Sequence, residues 1–124
     1  MNILLDTHTL HWLLTNDSKI RGKIRDNFRR AEKVFVPTIV LMELLYTMRK
    51  KNRESEFPSV LNQLKNEGRF VFISLDLDIV ERVAGIGKEL EMHDRIIVTT
   101  AETLHVPLIT KDETIQKIYK NTIW

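Results

Sequence analysis

Asp6, Glu43, Asp94 and Asp112 are acids set singly among apolar or hydroxyl residues. Three follow or open apolar elements, in NILLD, HDRIIV and PLITKD, and Glu43 interrupts one, PTIVLMELLYTM. Buried charges are rarely left unpaired because desolvating an ion is costly, so carboxylates in such places share a cation or line a cleft. Two ionised carboxylates about 5 Å apart repel by about 3 kcal/mol at an effective dielectric of about 20. A divalent cation offsets that repulsion. Oxygen ligands without sulfur match Mg2+ or Mn2+, and Mg2+ typically keeps waters that can serve as the nucleophile. The chemistry this set suits is phosphodiester hydrolysis by a metal-held water.

Each acid also has a plainer explanation. Asp6 fits an N-cap for a helix beginning near Thr9, Asp94 an N-cap before Arg95-Ile96-Ile97-Val98, and Asp112 a cap before Glu113 and Ile115. Glu43 does not fit one, because it lies mid-helix with Ile39, Val40, Tyr46 and Thr47 within about 60° of it on the helical wheel. For Glu43 the alternative is a buried salt bridge to Lys or Arg. Thr7 and Thr110 stand beside two of the acids as donors able to orient a carboxylate or, equally, as turn hydroxyls. Arg95 and Lys111 adjoin acids too, as phosphate contacts or as simple pairing partners.

Other chemistries lack support. His8 and His11 are three apart, His93 abuts Asp94 and His105 precedes a strand, with neither HExxH nor HxxEH spacing for zinc. There is no GxSxG and no GxxxxGK[ST], which removes the usual marks of acyl transfer and of nucleotide triphosphate hydrolysis. Cysteine is absent, and with it disulfides, thiolate metal sites and cysteine nucleophiles. Trp12, Trp124 and Tyr119 read as core, with a partner interface as the alternative.

The elements that must position the acids alternate. NILL at 2 to 5 is a short continuous apolar run, the mark of a strand buried on both faces. A helix with Leu10, Leu13 and Leu14 inward and a basic helix follow, then Val34-Phe35-Val36, stopped by Pro37, with Thr38 capping a helix to about Arg49. Arg53 to Pro58 is a polar break; Val60, Leu61 and Leu64 mark another helix; Phe70 to Ile73 is a third strand. Ser74 to Asp78 opens a helix carrying Ile79, Val80, Val83, Ala84 and Ile86, and Asp94 restarts helical spacing. Pro107 to Ile109 is a fourth strand, Asp112 begins a short helix, and Thr122 to Trp124 supplies a terminal strand. This pattern predicts one domain over residues 1–124, a three-layer α/β/α sandwich around a parallel sheet of four to five strands. Ligands of such sheets bind beyond the carboxyl ends of the strands, where the four acids can meet.

Net charge is only +2, but basic residues cluster at Arg21 to Lys33 and again at Arg49, Lys50, Lys51 and Arg53. Such clusters attract a polyanion or simply occupy solvated helix faces and ends. The longest apolar runs are too short to span a bilayer and no signal peptide is visible, so the expectation is a cytoplasmic protein without membrane contact.

ILLDTHTLHWLL, PTIVLMELLY, MHDRIIVTTAETLHVPLITKDETI and the closing TIW together resemble a PIN domain, and more narrowly the VapC-type toxins of toxin–antitoxin pairs. The resemblance runs over nearly the whole chain and carries all four acids in order. It implies a metal-dependent endoribonuclease using Mg2+ or Mn2+, with Asp6 and Asp94 as primary ligands and Glu43 and Asp112 completing the site or placing the attacking water. It further implies an RNA substrate, a small antitoxin that enters the active-site groove, and a homodimer. Arg49, Lys50, Lys51 and Arg53 are the candidate RNA guides. The alternatives are a PIN-like binding module without activity and a phospho-receiver domain. The receiver fits poorly, since Asp6 is followed by Thr7 rather than a second acid and the third strand runs into Ser74.

Overall fold

A computed structural model describes residues 1–124. The strands are β1 (Asn2–Leu5), β2 (Lys33–Pro37), β3 (Phe70–Ile73), β4 (Leu108–Ile109) and β5 (Thr122–Ile123). The helices are α1 (Thr7–Thr15), α2 (Gly22–Arg30), α3 (Thr38–Lys50), α4 (Phe57–Glu67), α5 (Leu77–Val83), α6 (Met92–Leu104) and α7 (Glu113–Ile118), with a short 3-10 turn at Glu54–Glu56. All five strands run parallel in the order β3-β2-β1-β4-β5.

β1 is the middle strand. Leu4 stands opposite Phe35 on one side and Leu108 on the other, and Leu5 opposite Ile109. Successive strand residues face opposite sides of a sheet, yet Ile3, Leu4 and Leu5 are all fully enclosed, so helices cover both faces and the architecture is the three-layer sandwich. Val34, Val36, Leu108 and Ile109 continue this core along the neighbouring strands, and α6 adds an unbroken buried run from Ile96 to Ala101. No helix is long and apolar enough to cross a membrane.

The chain goes from β1 to β2 on one side and later returns to place β4 on the other. The connections leaving β1 and β4 therefore part company at the carboxyl ends of these two strands, opening the crevice where parallel sheets bind ligands.

Several local expectations need correction. Pro37, not Thr38, occupies the cap position of α3, and Thr38 is its first residue, its hydroxyl accepting from the Leu75 N–H at 3.3 Å. Pro37 also stays within β2 opposite Ile73, which proline can do at a strand end, where its missing donor is not needed. α5 starts at Leu77 under an Asp76 cap and stops at Val83, so Ala84 and Ile86 lie in the following loop; Gly87, at φ +60°, turns that loop towards α6. β4 is shortened to Leu108–Ile109 and β5 to Thr122–Ile123. His105 is the left-handed C-cap of α6, a conformational role and not a chemical one.

Candidate active site

The floor of the crevice is the seam between β1 and β4. The Asp6 N–H donates to the Ile109 carbonyl at 3.4 Å, and the Thr9 hydroxyl donates to the same oxygen at 3.0 Å. Asp6 Oδ1 accepts from the Thr9 N–H at 2.9 Å, so this acid caps α1 while ending β1. Asp112 does the same for α7, its Oδ1 accepting from Thr114 N–H at 2.8 Å and Ile115 N–H at 3.1 Å. The capping reading of both acids is therefore correct, and it does not compete with a site, because one oxygen of each carboxylate suffices for the cap. Thr110 stands between the two: its buried hydroxyl oxygen accepts from the Asp112 N–H at 3.1 Å, and the same side chain favours the charged form of Asp6.

Glu43 comes from α3. Its Oε1 accepts from the Thr7 hydroxyl at 2.6 Å, and its Oε2 lies 3.6 Å from His93 Nδ1, which is itself 2.9 Å from Glu91 Oε1. The expected alternative for Glu43, a salt bridge to Lys or Arg, is not what holds it. Of its four predicted helical neighbours, Ile39, Tyr46 and Thr47 line a cleft with it, while Val40 is buried in the core. Asp94 does not cap α6. Glu91 does, its Oε2 accepting from the Asp94 N–H at 3.4 Å, which leaves the Asp94 side chain in the first turn of the helix.

The electrostatics tie the acids together. Burial pushes the Asp6 carboxyl above the ordinary carboxylate range, against the hydrogen bonds from Thr110 and Thr9 that favour its charged form. Asp94 is pushed up to about 6, by burial first and then by the charges of Asp112, Glu91, Glu43 and Asp6. None of the four predicted acids makes an ion pair with Lys or Arg. They ring the crevice without closing on one point: no three acidic or histidine side chains are arranged to grip one ion directly. Only Asp6 is buried; Glu43 and Asp94 are half-buried, and Asp112 is exposed, contrary to its expected core-like setting. This spacing fits a hard cation that binds one or two carboxylates and keeps waters towards the rest.

The sign of the Asp94 shift has a measurable consequence. Its folded value lies above the ordinary 3.8, so its contribution to stability is present below about pH 4 and is lost as pH rises through about 6. For a half-exposed group the loss is about 1 kcal/mol after allowance for solvent screening. Urea unfolding in EDTA between pH 4 and pH 8 should show that fall in the unsubstituted protein relative to Asp94→Asn. Parallel pH profiles for the two proteins would mean that Asp94 does not feel its neighbours.

The predicted basic contacts are dispersed. The Arg95 guanidinium is committed to main-chain carbonyls, Nε to Ile86 at 3.1 Å and Nη2 to Val83 at 2.8 Å, and so ties the α5–α6 loop instead of facing a phosphate. Arg53 is engaged by both carboxylate oxygens of Glu56. Arg49 lies 5.8 Å from the centre of the Tyr46 ring, and Lys51 Nζ is 3.4 Å from His11 Nε2. Two lysines do border the acids. Lys111 lines a cleft of about 320 Å3 with Asp6, His8, Trp12, Asp112 and Glu113, and Lys50 lines one of about 560 Å3 with Thr7, His8, Glu43, Tyr46 and His93. Trp12 thus combines packing against the core with a place on the cleft wall. The sequence alone assigns no role to His93, Glu91 or Tyr46. The visible signal was Glu91 three residues before Asp94, the spacing of an acid that caps onto the N–H at N3.

The PIN domain family model matches residues 3–121. A search of curated protein sequences gives no significant match. Among solved structures, VapBC-1 from nontypeable Haemophilus influenzae superposes with a TM-score of 0.74 at 18% identity, covering 100% of this chain and 96% of that one. VapBC2 from Rickettsia felis, bound to a DNA fragment from its promoter, gives 0.73 at 19% identity over 99% and 96% of the two chains. VapC20 from Mycobacterium tuberculosis, described as a sarcin-ricin loop cleaving toxin, gives 0.72 at 11% identity over 93% of each. At these identities the likeness establishes the fold.

Proposed function

Because the chain belongs to the PIN domain family, we propose that it is a metal-dependent endoribonuclease acting as the toxin of a toxin–antitoxin pair. The observation that carries this reading is the half-buried Asp94, surrounded by the charges of Asp112, Glu91, Glu43 and Asp6 and paired with no Lys or Arg. Such a set is costly to keep ionised and becomes favourable when a cation enters it.

In this reading Asp6 and Asp94 would hold Mg2+ or Mn2+, which would supply acidity to a bound water and charge compensation at the phosphoryl oxygens. Glu43, with Oε1 fixed by Thr7 and Oε2 3.6 Å from His93 Nδ1, would orient the attacking water and take up its proton. Asp112 completes the rim, and Thr110 keeps it in register with Asp6. Lys50 and Lys111, one on each side of the acids, attract the RNA backbone. The pairing of the VapBC relatives supports a small antitoxin as partner, a homodimer rests on the family resemblance, and a cytoplasmic location belongs with the expectations drawn from the sequence. The phospho-receiver alternative falls with the family assignment.

Cleavage of end-labelled RNA in Mg2+, Mn2+ or EDTA tests the proposal. The expected outcome is cutting in either metal, none in EDTA, and 3′-hydroxyl product ends. Equal cutting in EDTA, leaving 2′,3′-cyclic ends, would replace it with a metal-free mechanism. RNA binding without cleavage across a wide set of RNAs would favour the inactive binding module.

A further inference from the structure

The two clefts beside the acids meet at one side chain. His8 lines both: on one side lie Asp6, Trp12 and Asp112, and on the other Glu43, Tyr46 and His93. It is exposed, in the first turn of α1, and one helical turn later Trp12 lies behind it, ring centres 5.6 Å apart and planes inclined by 33°. Trp12 is braced in turn. Trp124 meets it edge-on at 5.8 Å, Lys19 Nζ lies 5.4 Å from its ring centre, and Lys23 Nζ donates to the Trp124 carbonyl at 3.2 Å, anchoring the chain's last residue. An exposed ring that lines both clefts and is backed by a braced Trp12 forms a ridge between them, and each cleft beside it has an aromatic wall of its own, Trp12 in one and Tyr46 in the other.

Resting on the nuclease reading above, we propose that His8, backed by Trp12, is a wedge that splays the two nucleobases flanking the phosphate held at the acids, one base entering each cleft. A nucleic acid strand can bring a phosphate down to carboxylates at the bottom of a crevice only if its bases turn away from that point, and a planar ring at the ridge gives them a surface to turn onto. Stacking on aromatic rings is tolerant of base identity and requires unpaired bases. The wedge therefore selects unpaired sites over duplex, and the shapes of the two clefts set preference among bases. Trp12 acts through His8 as a positioning residue.

The test compares His8→Ala and His8→Phe with the unsubstituted protein by fluorescence anisotropy. The probes are labelled oligoadenylate and an abasic ribose-phosphate oligomer of equal length, titrated in Ca2+, with the recovered oligomer checked on a gel for integrity. His8→Ala should weaken oligoadenylate binding about 10-fold, within the range of one lost base stack. Binding of the abasic oligomer should be unchanged. His8→Phe should restore oligoadenylate affinity to within about 3-fold, which a role in hydrogen bonding or charge would not permit. Equal losses for both probes, or no rescue by Phe, overturn the wedge. Unchanged oligoadenylate binding in His8→Ala overturns it too, and leaves the clefts to a protein segment. Failure of the unsubstituted protein to bind either probe overturns the wedge, while the cleavage assay above decides the nuclease reading separately. His8 is exposed, so its variants are expected to fold, and circular dichroism verifies this.

Discussion

Asp94→Asn is expected to lower metal-dependent RNA cleavage about 1,000-fold while leaving the fold intact and, without metal, slightly more stable. The substitution keeps the shape of the side chain and removes one negative charge from a place where burial and neighbouring acids already oppose it. What the folded chain loses in repulsion the bound state loses in attraction for a cation. Activity and metal-free stability should thus move in opposite directions, which generic damage to the fold cannot produce. Asp6→Asn should lose activity comparably, because an amide oxygen can still cap Thr9 but supplies no charge. Rates in saturating Mg2+ alongside thermal unfolding in EDTA decide the matter. An Asp94→Asn protein retaining more than about a tenth of the original rate would remove Asp94 from the reacting centre.

Leu4→Ala should do the reverse, lowering stability by about 3 to 4 kcal/mol without touching an acid. Leu4 is fully enclosed, in register with Phe35 and Leu108, on the strand that joins both halves of the sheet. Its truncation leaves a void between layers that stiff neighbouring strands cannot collapse to fill. Against a typical total of about 5 to 15 kcal/mol, a loss of that size is a large share of what holds the molecule together. Denaturant unfolding measures it. A loss below about 1 kcal/mol would mean that the centre of the sheet repacks freely.

Much of this arrangement is legible in the residues. β1 and β3 can be bounded from the sequence because strands of a parallel sheet, covered on both faces, read as unbroken apolar runs. Glu43 could be singled out because nothing local explains an acid in the middle of an apolar helix. What escaped depends on where the chain travels between elements. In ELEMHD, Glu89, Glu91 and Asp94 can each start a helix, and only the path of the α5–α6 loop assigns the cap to Glu91 and frees Asp94. The same loop draws Arg95 back onto the carbonyls of Val83 and Ile86, a contact that no spacing announces. His8 invites comparison with metal ligands because residue type is visible in a sequence, whereas lying between two clefts is a property of the assembled surface.

The seam beneath the acids also bears on when they can act. Thr9 and Ile109 are joined across one hundred residues of chain, and Leu4 finds its second neighbour only at Leu108. During synthesis β1 can pair with β2 early, but its other edge stays open until almost everything else has been made, and contacts so distant along the chain form slowly. A nascent chain ending after α6 already carries Asp6, Glu43 and Asp94, yet has neither β4 to fix the floor nor Asp112 to complete the rim. Interrupted translation therefore releases a fragment with an incomplete crevice and an unpaired strand edge, a fitting substrate for proteases and chaperones.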